Sequence, residues 1–577
     1  MSYVDKYNLW IDSDYIDENT KKELRDIRDE KDLEDRFYRE LEFGTGGLRG
    51  IIGAGTNRMN IYTVGKATQG LANYLNSNYT EDKSVAIAHD SRIMSREFAE
   101  AAAGVLAANG IKVYIFDSLR PTPMLSYTTR HLNCSAGICV TASHNPKAYN
   151  GYKVYGEDGG QITDEKAKYI LNSIENVDDF SLIKKMDFNE GVKNHIINII
   201  GEEVDKTYYE KVKALTIRKN LVKEKAKDLK IIYTPLHGSG NIPVRRVLSE
   251  LGYTNVHVVK EQEAPDGTFP TAPYPNPEKK EVFDIALTMA EEINADIIFG
   301  TDPDCDRIGA VVKDNKGEYK VLTGNQVGLL LSHYMLSSLK ELNELPSNGT
   351  VIKTIVTTDM IEEIAKDFDI TVMSVLTGFK YIGEKIKEFE ESKKFSYIFG
   401  FEESYGYLAG DFVRDKDAVI AAALICEMTL YYKEQGLSLY EGLIKLYDKY
   451  GYFKESLISM DFVGKEGQED IEKILQYLRH SMNPAIAGVK IVKKADYKLG
   501  IEKDIVNIQE TTIDLPKSNV LKFILEDGSW FVVRPSGTEP KMKVYLSVKE
   551  KSMEKAETKI KDFEKNVMDI VNSAQTL

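Results

Sequence analysis

The sequence predicts an α/β protein of four domains: three similar α/β units with mixed or parallel sheets, then a smaller C-terminal α+β domain. Three observations carry this. At 577 residues the chain is too long for one hydrophobic core. Through most of its length short, wholly apolar runs alternate with amphipathic stretches, the grammar of βαβ units whose strands are buried on both faces. From about residue 451 this gives way to closely spaced strands and a last helix.

In chain order, residues 1–40 are dense in charge, as in Asp17-Glu18-Asn19-Thr20-Lys21-Lys22-Glu23, and read as a solvated helical arm. A glycine-rich break follows, Phe43-Gly44-Thr45-Gly46-Gly47-Leu48-Arg49-Gly50. The first unit has strands at 84–89, 112–116 and 135–140 and a helix at 96–109. The second has strands at 229–233, 256–259 and 296–299, and the third at 351–356, 371–376 and 395–399. Asp296-Ile297-Ile298-Phe299-Gly300 and Ser396-Tyr397-Ile398-Phe399-Gly400 read as one motif used twice, the mark of an internal repeat. The last domain has strands at 452–462, 520–525, 529–533 and 542–548 and a helix at 553–571. The expected domains are 1–215, 216–325, 326–450 and 451–577.

A net charge of −15 argues against nucleic acid, which demands a basic face. No apolar run is long enough to span a bilayer, and Met1-Ser2-Tyr3-Val4-Asp5-Lys6 has no signal core. The four cysteines, Cys134, Cys139, Cys305 and Cys426, lack metal-ligand spacing and read as reduced, buried thiols of a cytoplasmic protein. An acidic protein that handles an anionic substrate must gather cations and backbone N–H groups in a few short loops.

Four loops carry the candidate chemistry, each directly after a strand, where ligands of open α/β sheets bind. The first is Thr141-Ala142-Ser143-His144-Asn145-Pro146, then Gly151-Tyr152-Lys153. A lone serine there is usually a turn or cap residue, but His144, Asn145 and Lys153 can move protons and hold oxyanions around this hydroxyl. The second, Thr301-Asp302-Pro303-Asp304-Cys305-Asp306-Arg307, sets three carboxylates at alternate positions. Their mutual repulsion calls for a hard divalent cation such as Mg²⁺. The third, Gly400-Phe401-Glu402-Glu403-Ser404-Tyr405-Gly406, can accept several sugar hydroxyls, or can be a plain acidic turn. The fourth, Arg534-Pro535-Ser536-Gly537-Thr538-Glu539-Pro540-Lys541, combines a bidentate phosphate clamp with an anion nest.

Taken together, T-A-S-H-N-P, D-P-D-x-D-R, G-F-E-E-S and R-P-S-G-T-E-P-K resemble the four motifs of the α-D-phosphohexomutases over nearly the whole chain. Gly44–Gly50 and the length are most similar to the bacterial phosphoglucomutase branch, which includes phosphopentomutase-like relatives. The resemblance implies four domains around a central cleft, Ser143 as phosphoserine, and Mg²⁺ held by Asp302, Asp304 and Asp306 with the phosphorylated Ser143. It implies Arg49 and Lys153 beside the phosphoserine, next to His144 of the same loop, with Lys153 a candidate general acid or base whose pKa burial beside other cations is expected to lower. Arg307, Gly378, Lys380, Glu403 and Ser404 would meet the substrate, and Arg534, Ser536, Gly537 and Thr538 its non-reacting phosphate. In the loop Thr377-Gly378-Phe379-Lys380, Phe379 stands where some members carry histidine, so that role passes to Lys380 or is absent.

The implied activity interconverts glucose 1-phosphate and glucose 6-phosphate through a bisphosphate, with glucose 1,6-bisphosphate as activator, in a monomer or homodimer. Mannose and pentose phosphates are the alternatives. A Mg²⁺-dependent phosphatase with Asp302 as nucleophile would leave Ser143 and Arg534 idle. A regulatory sugar-phosphate binder with decayed catalysis would be expected to have lost Ser143 or an aspartate, yet all are present.

Overall fold

A computed structural model describes the chain apart from residues 45, 81, 463, 482–483, 487, 536–540 and 576–577, and the side chains of 464–466. The chain forms two compact units: Met1–Thr350 with Phe379–Leu439, and Val351–Gly378 with Tyr440–Leu577. The third α/β stretch of the sequence contributes to both.

The first unit opens with helices Tyr3–Asp12, Glu18–Asp26 and Glu30–Phe37. They are not a solvated arm. Trp10, Ile16, Leu24 and Phe37 are buried in one cluster with Ala54 and Tyr62. The first helix packs Tyr3, Tyr7 and Ile11 beside Trp10, a 3–4 spacing, while the second and third bring Leu24 and Phe37 out of highly charged stretches, and the three helices together make a core.

Strands β1 (Gly47–Ile51), β2 (Ser84–His89), β3 (Lys112–Phe116), β4 (Ala136–Val140), β5 (Tyr149–Gly156) and β6 (Ile197–Ile200) form a mixed sheet in the order β1-β5-β4-β2-β3-β6. β2 runs parallel to β3 and β4, and β5 antiparallel to β4 and β1. Every residue of β2 and β4 is buried, as their unbroken apolar runs require. Helices Ile61–Asn78 and Ser95–Ala108 pack on this sheet through Val64, Leu71, Phe98, Ala102 and Leu106.

A second sheet follows: β7 (Ile231–Thr234), β8 (Val256–Val258), β9 (Ile297–Thr301), β10 (Ile308–Lys313) and β11 (Tyr319–Val321), in the order β11-β10-β9-β7-β8. Again the inner strands are parallel (β7 with β8 and β9), and β10 returns antiparallel to β9. β12 (Gly349–Thr354) and β13 (Thr371–Val375) come next and are neighbours, then β14 (Ser396–Glu402) and β15 (Gly406–Ala409) pair antiparallel within the first unit. The apolar helix Ala418–Glu434 is core, and among the described residues no helix is long and apolar enough to cross a membrane.

In the second unit β16 (Tyr452–Asp461), β17 (Ala485–Ile486), β18 (Val489–Asp496), β19 (Ile501–Asp504), β20 (Gln509–Thr512), β21 (Leu521–Leu525), β22 (Trp530–Pro535) and β23 (Lys541–Glu550) form antiparallel pairs. The helix Met553–Gln575 lays Ile560, Phe563, Val567 and Val571 on them, a helical 3–4 spacing. All four cysteines are buried free thiols.

Candidate active site

The Ser143 loop connects β4 to β5, so Lys153, expected in a loop, is a strand residue paired with Cys139. Ser143 is buried, with a left-handed φ of 51°. Such a backbone costs an L-residue about 1–2 kcal/mol and needs outside support. Arg92 supplies it: its guanidinium donates to the carbonyls of Ser143 and Asn145, and to those of Pro146 and Tyr149 at 3.0 Å each. Asp90 holds Arg92 in turn, at 3.3 Å, and accepts 2.7 and 2.8 Å bonds from the Thr141 and Ser95 hydroxyls. The Thr141 hydroxyl oxygen accepts from the Ser143 N–H at 2.8 Å, turning the loop so that the serine side chain faces the second sheet.

There the loop between β9 and β10 brings up Asp302, Asp304 and Asp306, all buried, with one oxygen of each within 4.8 Å of the others. The Ser143 hydroxyl donates to Asp302 Oδ2 at 2.7 Å, and His144 Nδ1 lies 3.2 Å from the same hydroxyl. Lys153 donates to Asp304 at 2.8 Å and lies 3.4 Å from Asp306, which also takes a 2.9 Å bond from Lys416. Asp304 Oδ1 and Asp306 Oδ1 are buried with no hydrogen-bond partner.

Buried acceptors left in this state call for a cation. Three carboxylate oxygens gathered within 4.8 Å of one another can close around one ion, and all the donors are hard oxygens. The residues therefore fit a hard divalent ion. Burial and the two neighbouring carboxylates push Asp302 well above the usual carboxylate range. Asp304 is held low: burial alone would raise it, but Lys153 overrides that. Asp306 is lowered too, by Lys416 and Lys153 against burial and Asp304. Lys153 departs from the expectation of a lowered pKa. Burial does depress it, yet Asp304 and Asp306 outweigh burial and raise it, so it carries a firmly held proton. Burial, then Arg307 and Arg49, drive His144 well below the ordinary imidazole range, so its ring is neutral.

Of the other predicted residues, Arg49 on β1 reaches Asn145 of the serine loop at 3.5 Å. Arg307 pairs with Glu278 at 2.8 Å. Glu403 and Ser404 are half-buried in the turn between β14 and β15, tied to the aspartate loop where Ile308 N–H donates to the Tyr405 carbonyl at 3.2 Å. Lys380 is drawn to Asp164 at 2.6 Å, a partner its sequence context does not announce, while Phe379 is buried core at the helix start. Gly378 (φ 121°) and Arg534, at the end of β22 opposite Lys543, belong to the second unit. Ser536, Gly537 and Thr538 lie outside the described residues.

Sequence reasoning passed over Asp90, Arg92, Thr122, Ser239 and Lys416. Ser239 fastens the aspartate loop by donating N–H and hydroxyl to the Pro303 carbonyl at 2.8 and 2.9 Å. A signal existed for most of them: Asp90 and Arg92 follow β2 and Ser239 follows β7, both at the carboxyl ends of parallel strands.

Comparison with known proteins agrees with this geometry. Residues 40–180, 206–317 and 323–450 match the α/β/α domains I, II and III of phosphoglucomutase/phosphomannomutase, and 481–563 match its C-terminal domain. The chain belongs to this family. It is 37% identical over 540 residues to a Staphylococcus saprophyticus phosphoglucomutase, covering 94% of this chain and 96% of that one. The phosphoglucomutase/phosphomannomutase fold is shared with parafusin, a phosphoglucomutase from Paramecium (TM-score 0.67, 17% identity, 93% and 96% covered). It is shared as well with a Burkholderia thailandensis family protein (TM-score 0.65, 17% identity, 92% and 97% covered). Three α/β domains and a C-terminal domain, as the sequence predicts, are those of a phosphoglucomutase/phosphomannomutase, and the chain is a mutase of that family.

Proposed function

We propose that the protein interconverts glucose 1-phosphate and glucose 6-phosphate, carrying the exchanged phosphoryl group on Ser143, with Mg²⁺ at the aspartates and glucose 1,6-bisphosphate as intermediate and activator. The observation that carries this reading is the 2.7 Å contact between the Ser143 hydroxyl and an aspartate cluster that retains two unpartnered oxygens. Asp302, Asp304 and Asp306 would hold the ion, which neutralises charge on the transferring group. The bond from phosphorus to Ser143 Oγ breaks as one to a sugar hydroxyl oxygen forms, and the proton of that hydroxyl ends on Ser143 Oγ in the balanced step. Lys153, protonated in the site, suits delivery of that proton to the leaving Oγ, and neutral His144 suits a hydrogen bond to it. Glu403 and Ser404 read sugar hydroxyls in this scheme, aided by Arg307, Gly378 and Lys380. Arg534, Ser536, Gly537 and Thr538 grip the phosphate that stays on the sugar. Buried reduced thiols support a cytoplasmic enzyme.

The test compares kcat/KM for the 1-phosphates of glucose, mannose, glucosamine and ribose at one Mg²⁺ concentration, with Ser143→Ala alongside. Glucose 1-phosphate should lead, chelation should silence the enzyme reversibly, and Ser143→Ala should lose turnover with its fold intact. A preference for mannose 1-phosphate overturns the sugar; near-normal turnover by Ser143→Ala, or phosphate released in step with turnover, overturns the phosphoserine mutase.

A further inference from the structure

The helix Thr122–His131 starts at Pro121-Thr122-Pro123, where Thr122 is the one residue of the three with an N–H to give, and it is fully buried. Both of its donors go to one residue of another domain. The Thr122 N–H meets the Asp304 carbonyl at 2.9 Å, and its hydroxyl meets Asp304 Oδ2 at 2.9 Å. Cys139 Sγ lies 3.3 Å from the same hydroxyl. An ionised carboxylate only accepts, so the hydroxyl proton points at Asp304 and the Cys139 S–H completes the chain by donating to Thr122.

Lys153 bonds Oδ2 as well, at 2.8 Å, whereas Oδ1 of the same carboxylate is buried and unpartnered. Two donors on one oxygen fix the rotation of the group and leave the other oxygen to the aspartate cluster. Lys153 is a long, flexible donor shared with Asp306, but Thr122 holds main chain and side chain at once. Its second contact, Cys139, stands on β4, the strand that runs directly into the Ser143 loop.

We propose that Thr122 is a positioning residue for the metal: it selects the oxygen of Asp304 offered to the cation and locks the metal loop to the strand that carries the phosphoserine. The inference rests on the reading of the three aspartates as a divalent-cation site. Outer hydrogen bonds that orient a ligand commonly change metal affinity about 10–100-fold when removed.

Mn²⁺, which shares the oxygen-ligand chemistry of Mg²⁺, is the probe. Its dissociation constant is measured by electron paramagnetic resonance of free Mn²⁺ on the full chain, with circular dichroism as the check on folding. Thr122→Val keeps the shape and deletes the hydroxyl, and should weaken Mn²⁺ about 10–100-fold. Thr122→Ser keeps the hydroxyl and deletes a methyl, and should bind within a few-fold of wild type while melting lower. A purely structural threonine gives the reverse order, and Thr122→Val with wild-type affinity overturns the proposal. If Thr122→Val does not fold, Thr122→Ser against Thr122→Ala decides, since they differ by the hydroxyl alone; equal affinity overturns it. Wild type that binds no Mn²⁺, or an Asp302→Asn variant that binds it undiminished, removes the cation site itself and this proposal with it.

Discussion

At the residue scale, the backbone geometry of Ser143 depends on Arg92, a residue outside its own loop. Arg92 answers four carbonyls of a strained turn, and Asp90 balances its charge at zero exposure of either side chain. Arg92→Met would strand the Asp90 carboxylate and four acceptors together. Breaking a buried pair by removing one partner costs about 3–5 kcal/mol. Urea denaturation of the variant should show a loss of that size, and mutase turnover should fall with it because the φ of Ser143 is no longer enforced. Ser143 and the three aspartates were legible in the sequence because each motif sits in one short stretch directly after an apolar run. Arg92 was not, because a guanidinium spent on main-chain carbonyls looks like any surface arginine until the turn it supports is seen.

At the element scale, one device appears three times. A buried strand ends, a short loop follows, and the chain returns antiparallel: β4 to β5, β9 to β10, β14 to β15. Each loop holds a left-handed residue other than glycine, Ser143 at 51°, Cys305 at 53° and Tyr405 at 66°. The internal repeat read from the sequence is thus expressed most faithfully in the site-bearing hairpins. Their return strands were missed, since β5 and β10 begin inside stretches that read as continuing loop.

Among the helices, Ala418–Glu434 buries Glu427 in an otherwise apolar run, where burial pushes its carboxyl up to about 6. The folded state then holds this proton more tightly than the unfolded chain does. The contribution is fully present below the ordinary glutamate pKa of about 4.5 and lost as pH rises through 6, worth about 2 kcal/mol for the 1.5-unit interval. Glu427→Gln should flatten the fall in unfolding free energy between pH 4.5 and 6; a slope identical to wild type in urea titrations would show that Glu427 is not its source.

At the scale of the whole molecule, the N-terminal helices are part of the first unit's core. Trp10 meets Phe37, Tyr62 and Phe180 edge-on at 5.4–5.7 Å between ring centroids. Trp10→Ala should cost about 3–5 kcal/mol and lower the first thermal transition measured by calorimetry. An unchanged transition would return the helices to the solvated arm their charge density implies.

The sequence by itself determined the α/β alternation, the order of four domains, and the residue types of the Ser143, aspartate and Glu403 loops. Those features are written in contiguous residues, through hydrophobic period and turn chemistry. Tertiary structure alone decided that Ser143 meets Asp302 across 159 positions, that Lys153 and Lys416 converge on Asp306, and that Thr122 grips Asp304. Such contacts follow from strand order and hairpin return, which bring together side chains whose local sequences carry no trace of one another.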